Sequence, residues 1–261
     1  MEIQVLVSAV EQNMAALVEK MNINTPAVVV NQCDSYGYEE MEHNGAKIQC
    51  FSMQERGVGL SRNTALLHAD AEVCLFSDED ITLTVDYAKE MEKAYREIPD
   101  ADMILFNVKV SPKRKTYWNT DIHRVNYRNY GRYPAYSISG KLDSLRRANV
   151  GYSLLFGGGA KYSNGEDSLF LHDCLKKGLH LYADTALLGE EVYRESTWFE
   201  GYHDKFFFDR GVLYHDLYGW LAGLFSLRFL WSHRAQMLTE KSFLEAFGLM
   251  KKGISEGKKR R

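Results

Sequence analysis

Apolar and polar positions alternate in blocks along the first 110 residues, and each block has its own period. Residues 3–7 are a short, β-branched apolar run that reads as a strand, and residues 11–21 follow with Met14, Leu17, Val18 and Met21 at helical spacing. Pro26 then introduces Ala27, Val28, Val29 and Val30, the continuous apolar run expected of a strand buried on both faces of a parallel sheet. The alternation continues with a strand over 47–52, a helix entered through 57–60, a strand over 72–76, a helix over 85–98 and a strand over 103–108. Strands alternating with helices predict an α/β fold: an open, largely parallel sheet with right-handed crossovers. Ligands of such sheets bind beyond the carboxyl ends of the strands, and two polar clusters fall there, Asn31-Gln32-Cys33-Asp34 and Asp78-Glu79-Asp80.

From 111 to 134 the periodicity vanishes, and Lys, Arg, Tyr and Asn dominate. An irregular excursion of this length is uncommon unless it serves a function. Residues 117–133, rich in aromatic faces and hydrogen-bond donors, are therefore expected to wall part of a binding site. Gly157-Gly158-Gly159 reads as a flexible turn, and Gly165-Glu166-Asp167 opens a helix that Gly178 closes at about residue 177. Residues 179–188 return a strand or two. Beyond Glu195 the chain turns aromatic, with a helix over about 210–231 and a final amphipathic helix over about 239–251. The pattern divides the chain into a catalytic unit at 1–205, with halves at about 1–110 and 111–205, and a helical extension at 206–261.

Composition narrows the function classes. With 45% hydrophobic and 26% charged residues, disordered and fibrous classes drop out. A formal net charge of −3 offers no global attraction for nucleic acid. The last eleven residues, however, carry Lys251, Lys252, Lys258, Lys259, Arg260 and Arg261 against Glu256 alone, so any electrostatic partner is local to this end. Leu213, Leu217, Trp220, Leu221, Leu224 and Phe225 recur at helical spacing before it; one expectation is that this helix rests on an anionic membrane leaflet, and the other is a helix packed on the domain with a solvated tail. Cys33, Cys50, Cys74 and Cys174 form no paired motif and read as reduced, structural thiols. The N-terminus lacks a signal-peptide pattern, which predicts a cytoplasmic protein. The longest apolar stretch, 220–231, is interrupted by Arg228 and too short to span a bilayer.

Two carboxylates at i and i+2 on a turn leaving a buried strand place hard oxygen ligands where Mg²⁺ or Mn²⁺ and a diphosphate could meet. Taken alone, such a pair is as readily a solvated loop. Gly57-Val58-Gly59-Leu60-Ser61-Arg62-Asn63 followed by Ala69-Asp70-Ala71-Glu72-Val73-Cys74-Leu75-Phe76-Ser77-Asp78-Glu79-Asp80 resembles the core of glycosyltransferase family 2, where a Gly…Arg-Asn helix precedes an apolar strand ending in an acidic triplet. The resemblance is close over about 27 positions and looser over 1–195. It implies a GT-A, Rossmann-like domain and an inverting transferase that takes a sugar from a nucleotide donor, most often a UDP-sugar, to an acceptor hydroxyl on a glycan or lipid-linked molecule.

The resemblance also implies roles. Asp80 would bind the metal. Asp78 would lie by the ribose and metal waters, with Glu79 beside it, and Arg62, next to Asn63, would face the diphosphate. Ser8, Val10 and Glu11 after the first strand, and Asn31 and Asp34 after the second, stand where relatives contact uracil and ribose; the residue types here depart from the family pattern, so nucleotide identity is less fixed than reaction class. Gly165-Glu166-Asp167, about 85 residues after the triplet, resembles the family's Glu-Asp motif. Asp167 is expected to act as base and Glu166 to support it, or the reverse, with Gly165 on the acceptor side. Acids at a helix N-terminus could instead simply complement its dipole. Trp198 falls where relatives close over the acceptor, and His203 could join Asp78 and Asp80 on the metal or be an ordinary packed histidine. Two other classes remain open at this stage: a haloacid-dehalogenase-like phosphatase with Asp78 as nucleophile, and a non-catalytic carbohydrate-binding protein.

Overall fold

The computed structural model describes residues 1–112, 114–192 and 201–260. In chain order the elements are β1 (Ile3–Val10), α1 (Met14–Lys20), β2 (Ala27–Gln32), β3 (Gly37–His43), β4 (Ala46–Met53), α2 (Val58–His68), β5 (Val73–Asp78), β6 (Ile81–Leu83), α3 (Tyr87–Glu97) and β7 (Met103–Lys109). They continue with β8 (His123–Val125), β9 (Ile138–Lys141), α4 (Leu142–Ala148), α5 (Glu166–Lys176), β10 (Leu181–Glu191), α6 (Asp204–Tyr218), α7 (Ala222–Met237) and α8 (Phe243–Lys259). Among the described residues the strands form one sheet in the order β3-β4-β2-β1-β5-β9-β7-β10-β6, with β8 added on β10.

The parallel core β4-β2-β1-β5 comes directly from the apolar runs. Alternate residues supply opposite faces. Val5, Val7 and Val29 pack with Met14, Leu17 and Val18 of α1 and Met91 and Tyr95 of α3, whereas Leu6, Val28 and Val30 pack with Ala65 of α2 and Phe170 and Leu171 of α5. Helices on both faces are the reason these strands read as unbroken hydrophobic stretches. Antiparallel β9 separates the parallel groups β1-β5 and β7-β10.

Several elements differ from the sequence expectation. β3, rich in Glu, pairs antiparallel with β4 at the sheet edge across Asn44-Gly45, both with positive φ. Charged side chains are tolerated there because one face and one edge meet water. The irregular stretch after 111 contributes β8, and 181–191 is one strand with register shifts rather than two. The single helix expected over 210–231 breaks at Gly219 into α6 and α7, and α8 runs to Lys259, so the basic end is helical. The four cysteines are free, and burial pushes the Cys50 thiol up to about 11. Among the described residues no helix is long and apolar enough to cross a membrane.

The division near residue 205 falls at the start of α6, and α6 belongs to both sides of it. Val212, Leu213 and Leu217 enter the sheet's core, while Phe206 and Phe207 form a second small core with Leu230, Ala246 and Met250. α6 and α8 meet backbone to backbone. A Cβ at Gly253 would lie 2.0 Å from the Phe208 carbonyl oxygen, and one at Gly211 would lie 2.1 Å from that of Met250. Gly253→Ala should therefore destabilise the protein by about 1–3 kcal/mol through overpacking. Gly248→Ala, which has open space around it, should be neutral or stabilise by about 0.5–1 kcal/mol. Urea denaturation of the two variants checks the contrast; equal midpoints would refute the close packing.

Candidate active site

The parallel register brings three strand ends together: Ser8 lies beside Val30 on one side and Asp78 on the other. α2 begins over these ends. Gly57, at φ 143°, donates its N–H to Gln32 Oε1 at 2.6 Å, and the first turn of α2 lies so close to the chain at 153 that a Cβ on Gly59 would be 2.3 Å from the Ser153 carbonyl oxygen. One turn on, Asn63 binds the Tyr152 backbone twice, donating to its carbonyl at 2.8 Å and accepting from its N–H at 2.7 Å.

This placement carries Arg62, 5% exposed, to the centre of the site. Its Nη2 donates to Asp78 Oδ1 at 3.0 Å, and its Nη1 donates to Asp167 Oδ1 at 2.8 Å and Glu166 Oε1 at 3.2 Å. The guanidinium lies over the Tyr152 ring, 5.1 Å from its centroid, and that ring stacks on Phe170. Burial opposes the charge of Arg62, but Asp167, Asp78 and Glu166 more than offset it and hold its pKa well above the ordinary value. Three carboxylates around one guanidinium leave an excess of negative charge. Burial first, and then the neighbouring Glu166, push the Asp167 carboxyl well above the usual carboxylate range despite Arg62 and the Ala135 N–H, which donates to Asp167 Oδ2 at 3.1 Å.

The rest of the acidic triplet points elsewhere. Glu79 is buried and its Oε2 accepts from the Val10 N–H at 2.6 Å, tying the end of β5 to β1. Asp80 is also buried; its Oδ2 accepts from Arg114 Nη1 at 2.8 Å. Arg114 also donates to Glu191 and lies over the Tyr136 ring, 5.4 Å from its centroid. Burial works against ionised Glu191, but the Ser111 N–H and Arg114 outweigh it and hold its pKa below the ordinary value.

The structure thus joins Asp78, Glu166, Asp167 and Arg62 in one ion cluster, which directs Arg62 toward carboxylates of its own chain. Five residues expected on the donor side turn polar groups into the scaffold. These are Asn63, Glu79 and Val10 as above, Ser8 through Ser61 Oγ at 3.0 Å, and Asn31, whose amide both accepts from and donates to the Gln12 backbone at 3.1 Å. Glu11 and Asp34, whose side chain is 97% exposed, stand on the open rim and share Arg56, which also donates to the Gln32 carbonyl at 2.8 Å.

His203 caps α6, its Nδ1 accepting from the Phe206 N–H at 3.4 Å. Among the described residues no three His, Cys, Asp or Glu side chains gather as a metal cage, so Asp78, Asp80 and His203 do not form one together. Gly165 is a backbone joint: its φ is 112°, and a Cβ there would lie 2.4 Å from Leu213 Cδ2 of α6. Trp198 lies outside the described residues. The sequence reading did not single out Arg56, Arg114, Tyr136, Glu191 or the Ala135 N–H. The basic, aromatic composition of 111–134 hinted at Arg114, and the acids ending β10 hinted at Glu191.

Because the buried Arg62 is the shared cation of three half-buried acids, Arg62→Ala should cost about 3–5 kcal/mol of stability. Without the guanidinium, which opposes the upward shift of Asp167, the folded-state pKa of Asp167 moves further above its unfolded value. A carboxyl with a raised folded-state pKa favours folding below its unfolded pKa, and that contribution is lost as pH climbs through the raised one. The deficit relative to wild type should therefore shrink on going from about pH 8 to about pH 5.5. Urea midpoints across that range read this directly, and a pH-independent deficit would overturn it.

Comparison with known proteins places this geometry in a family. The model for Glycosyl transferase family 2 matches residues 8–146, more than half of the chain, and the match includes Arg62 and the Asp78-Glu79-Asp80 triplet. No curated protein matches the chain. Among solved structures, the S. aureus TarS 1-349 complex with UDP-GlcNAc is similar at TM-score 0.66 and 15% identity, covering 98% of this chain and 80% of that one. The complex of TarS 1-349 with UDP gives 0.63 and 15%, with 98% and 82% covered. A further TarS structure gives 0.57 and 14%, with 92% and 44% covered. At such identity these likenesses establish the fold alone, and together with the family match they mean that the chain belongs to glycosyl transferase family 2 and adopts the GT-A fold.

Proposed function

We propose that the protein is a metal-dependent, inverting glycosyltransferase that moves a sugar from a UDP-sugar to a hydroxyl of a glycan or lipid-linked acceptor in polysaccharide assembly. The observation that carries this reading is the Arg62 cluster, which fixes the end of β5, where the donor diphosphate is expected, against Glu166-Asp167, where a base is needed. The uridine donor is supported by the similar TarS structures, which hold UDP-GlcNAc and UDP. Family membership removes the phosphatase alternative.

In a single displacement, the acceptor oxygen attacks the anomeric carbon from the face opposite the diphosphate. The carbon–oxygen bond to the diphosphate breaks with its electron pair going to the diphosphate, and the acceptor proton passes to Asp167. Burial and crowding by Glu166 make Asp167 more basic than an ordinary carboxylate, which favours proton uptake. Arg62, itself held by Glu166, keeps Asp167 oriented, and the Ala135 N–H holds its second oxygen.

The residues around the triplet fit a Mg²⁺ or Mn²⁺ ion. Asp80 presents buried carboxylate oxygens already faced by the cationic Arg114, so the position accommodates positive charge, and Asp78 lies two residues away on the same strand end. Such ions take few protein oxygens and complete their shell with phosphate and water. The ion would supply charge neutralisation for the departing diphosphate. Arg114, between Asp80 and Glu191, places a second positive group on that side.

Incubation with a panel of nucleotide sugars and Mn²⁺ should release nucleoside diphosphate from a UDP-sugar, and Asp80→Ala should abolish the release. Release that survives Asp80→Ala would remove the metal role, and no release from any donor would favour the non-catalytic alternative. With an acceptor present, Asp167→Asn should lower transfer by about 10²–10⁴-fold. The wild-type rate should climb with pH through the raised pKa of Asp167, with its acid limb above the ordinary carboxylate range, and the Asn variant should lose that limb. A rate already flat from about pH 5 upward would count against Asp167 as base.

A further inference from the structure

Outside the site, one surface differs from the rest of the molecule. Trp220 (89% exposed), Leu224, Leu227 and Trp231 (65% exposed) follow one another at spacings of four, three and four residues along α7 and the turn that precedes it. That spacing sets them in one row on a helix. The opposite side of α7 is anchored: Leu230 enters the small core with Phe207 and Met250, and Phe225 stacks on Tyr218 at 4.0 Å between centroids. The row therefore faces outward because its own helix is fixed by the other side.

The charge around the row is of a single sign. Between Asp216 and Glu240 the chain holds Arg228, His233 and Arg234 and no acid, although the whole chain is net negative at −3. Arg228 and Arg234 are both exposed, and Arg234 lies over the Trp231 ring, 4.6 Å from its centroid. We infer that this face of α7 docks on an anionic lipid surface, with Trp220, Leu224, Leu227 and Trp231 in the interface and the arginines against the headgroups.

Three arguments favour that occupant over a second copy of the chain. A two-fold contact through this face would gather the cations of both copies with no acid between Asp216 and Glu240 to pair them, which is repulsive. Tryptophans at both ends of an apolar row suit the boundary between headgroups and acyl chains, where the ring is buried and its N–H stays wet. α7 is apolar on both sides, and because its inner side is already covered by the small core, the outer row and the cations beside it are available together to an interface of acyl chains and anionic headgroups. Of the helix the sequence suggested the surface keeps Trp220 and Leu224, whereas Leu213 and Leu217 are buried in the sheet's core and Phe225 stacks on Tyr218. At the basic chain end Arg260 is tied to Asp216 at 2.7 Å, and the lysines of α8 lie on another helix. The inference goes beyond the proposed reaction and holds whichever acceptor is used.

The test is co-sedimentation of the full chain with phosphatidylcholine vesicles, with and without phosphatidylglycerol, read together with tryptophan emission. Wild type should bind the anionic vesicles alone, with a blue-shifted emission, and release as salt is raised. Arg228→Gln with Arg234→Gln should weaken binding by roughly 25-fold, at about fivefold per cation. Trp220→Ser with Trp231→Ser should weaken it by about tenfold or more. Both pairs are exposed and should keep the wild-type circular dichroism and UDP-sugar hydrolysis, so failed docking is distinguishable from a failed enzyme. No binding to anionic vesicles at low salt would overturn the inference. So would binding that survives both pairs but is lost on changing the α8 lysines to Gln, which would assign the contact to α8. A dimer in sedimentation equilibrium that the Trp pair dissolves, without vesicle binding, would assign the face to a second copy.

Discussion

A guanidinium taken out of water is stable only when anions and hydrogen-bond acceptors replace its hydration, and Arg62 sets that condition at the centre of this protein. It meets the condition with carboxylates from two distant parts of the chain, Asp78 at the end of β5 and Glu166 and Asp167 at the start of α5. The one cation ties all three acids to each other. The end of β5 is thereby held at a fixed distance from the start of α5, the two places where the proposed reaction puts the donor phosphates and the base. The stacked Tyr152 and Phe170 close the apolar side of the same charge.

Much of the remaining polarity near the strand ends keeps that arrangement in place. Asn31 and Asn63 each use a whole amide on a stretch of backbone, and Glu79 uses a carboxylate oxygen on the Val10 N–H. Buried amides and carboxylates are costly unless bonded, so these side chains are as much a consequence of irregular backbone at the sheet's edge as a feature of the site. The groups left facing open space are fewer: the Arg56 cluster with Glu11 and Asp34 on one rim, and Arg114, paired with the buried Asp80 and Glu191, on the other.

The C-terminal helices are coupled to this centre through α6. Leu213 of α6 packs where Gly165 leaves no room for a side chain, one residue before α5 and its two acids begin. α8 is drawn against α6 by glycines that let the backbones touch, while α7 offers its inner side to the same small core and its outer side to solvent. The extension therefore supports the active-site helix from behind and presents a separate surface of its own.

The sequence by itself determined the parallel core and the family. The valine run of β2 and the apolar runs of β1, β5 and β7 can be satisfied only between two helical layers, and the triplet after β5 has few chemical uses there. It also placed Asp78 and Glu166-Asp167 as the acids to watch, because helix starts and strand ends are legible from local pattern. Only the tertiary structure decided that Arg62 joins those acids, that Arg114 and Glu191 flank Asp80, that Glu79 and Asn63 serve the scaffold, and that α7 leaves its tryptophan row outside. β3, too, was hidden by its glutamates, since an edge strand is defined by its neighbour more than by its own hydrophobicity. The common reason is range. Period and capping act over a few residues, whereas the partner of a buried charge or the covering of an apolar face is chosen by segments a hundred residues apart, and only packing brings them together.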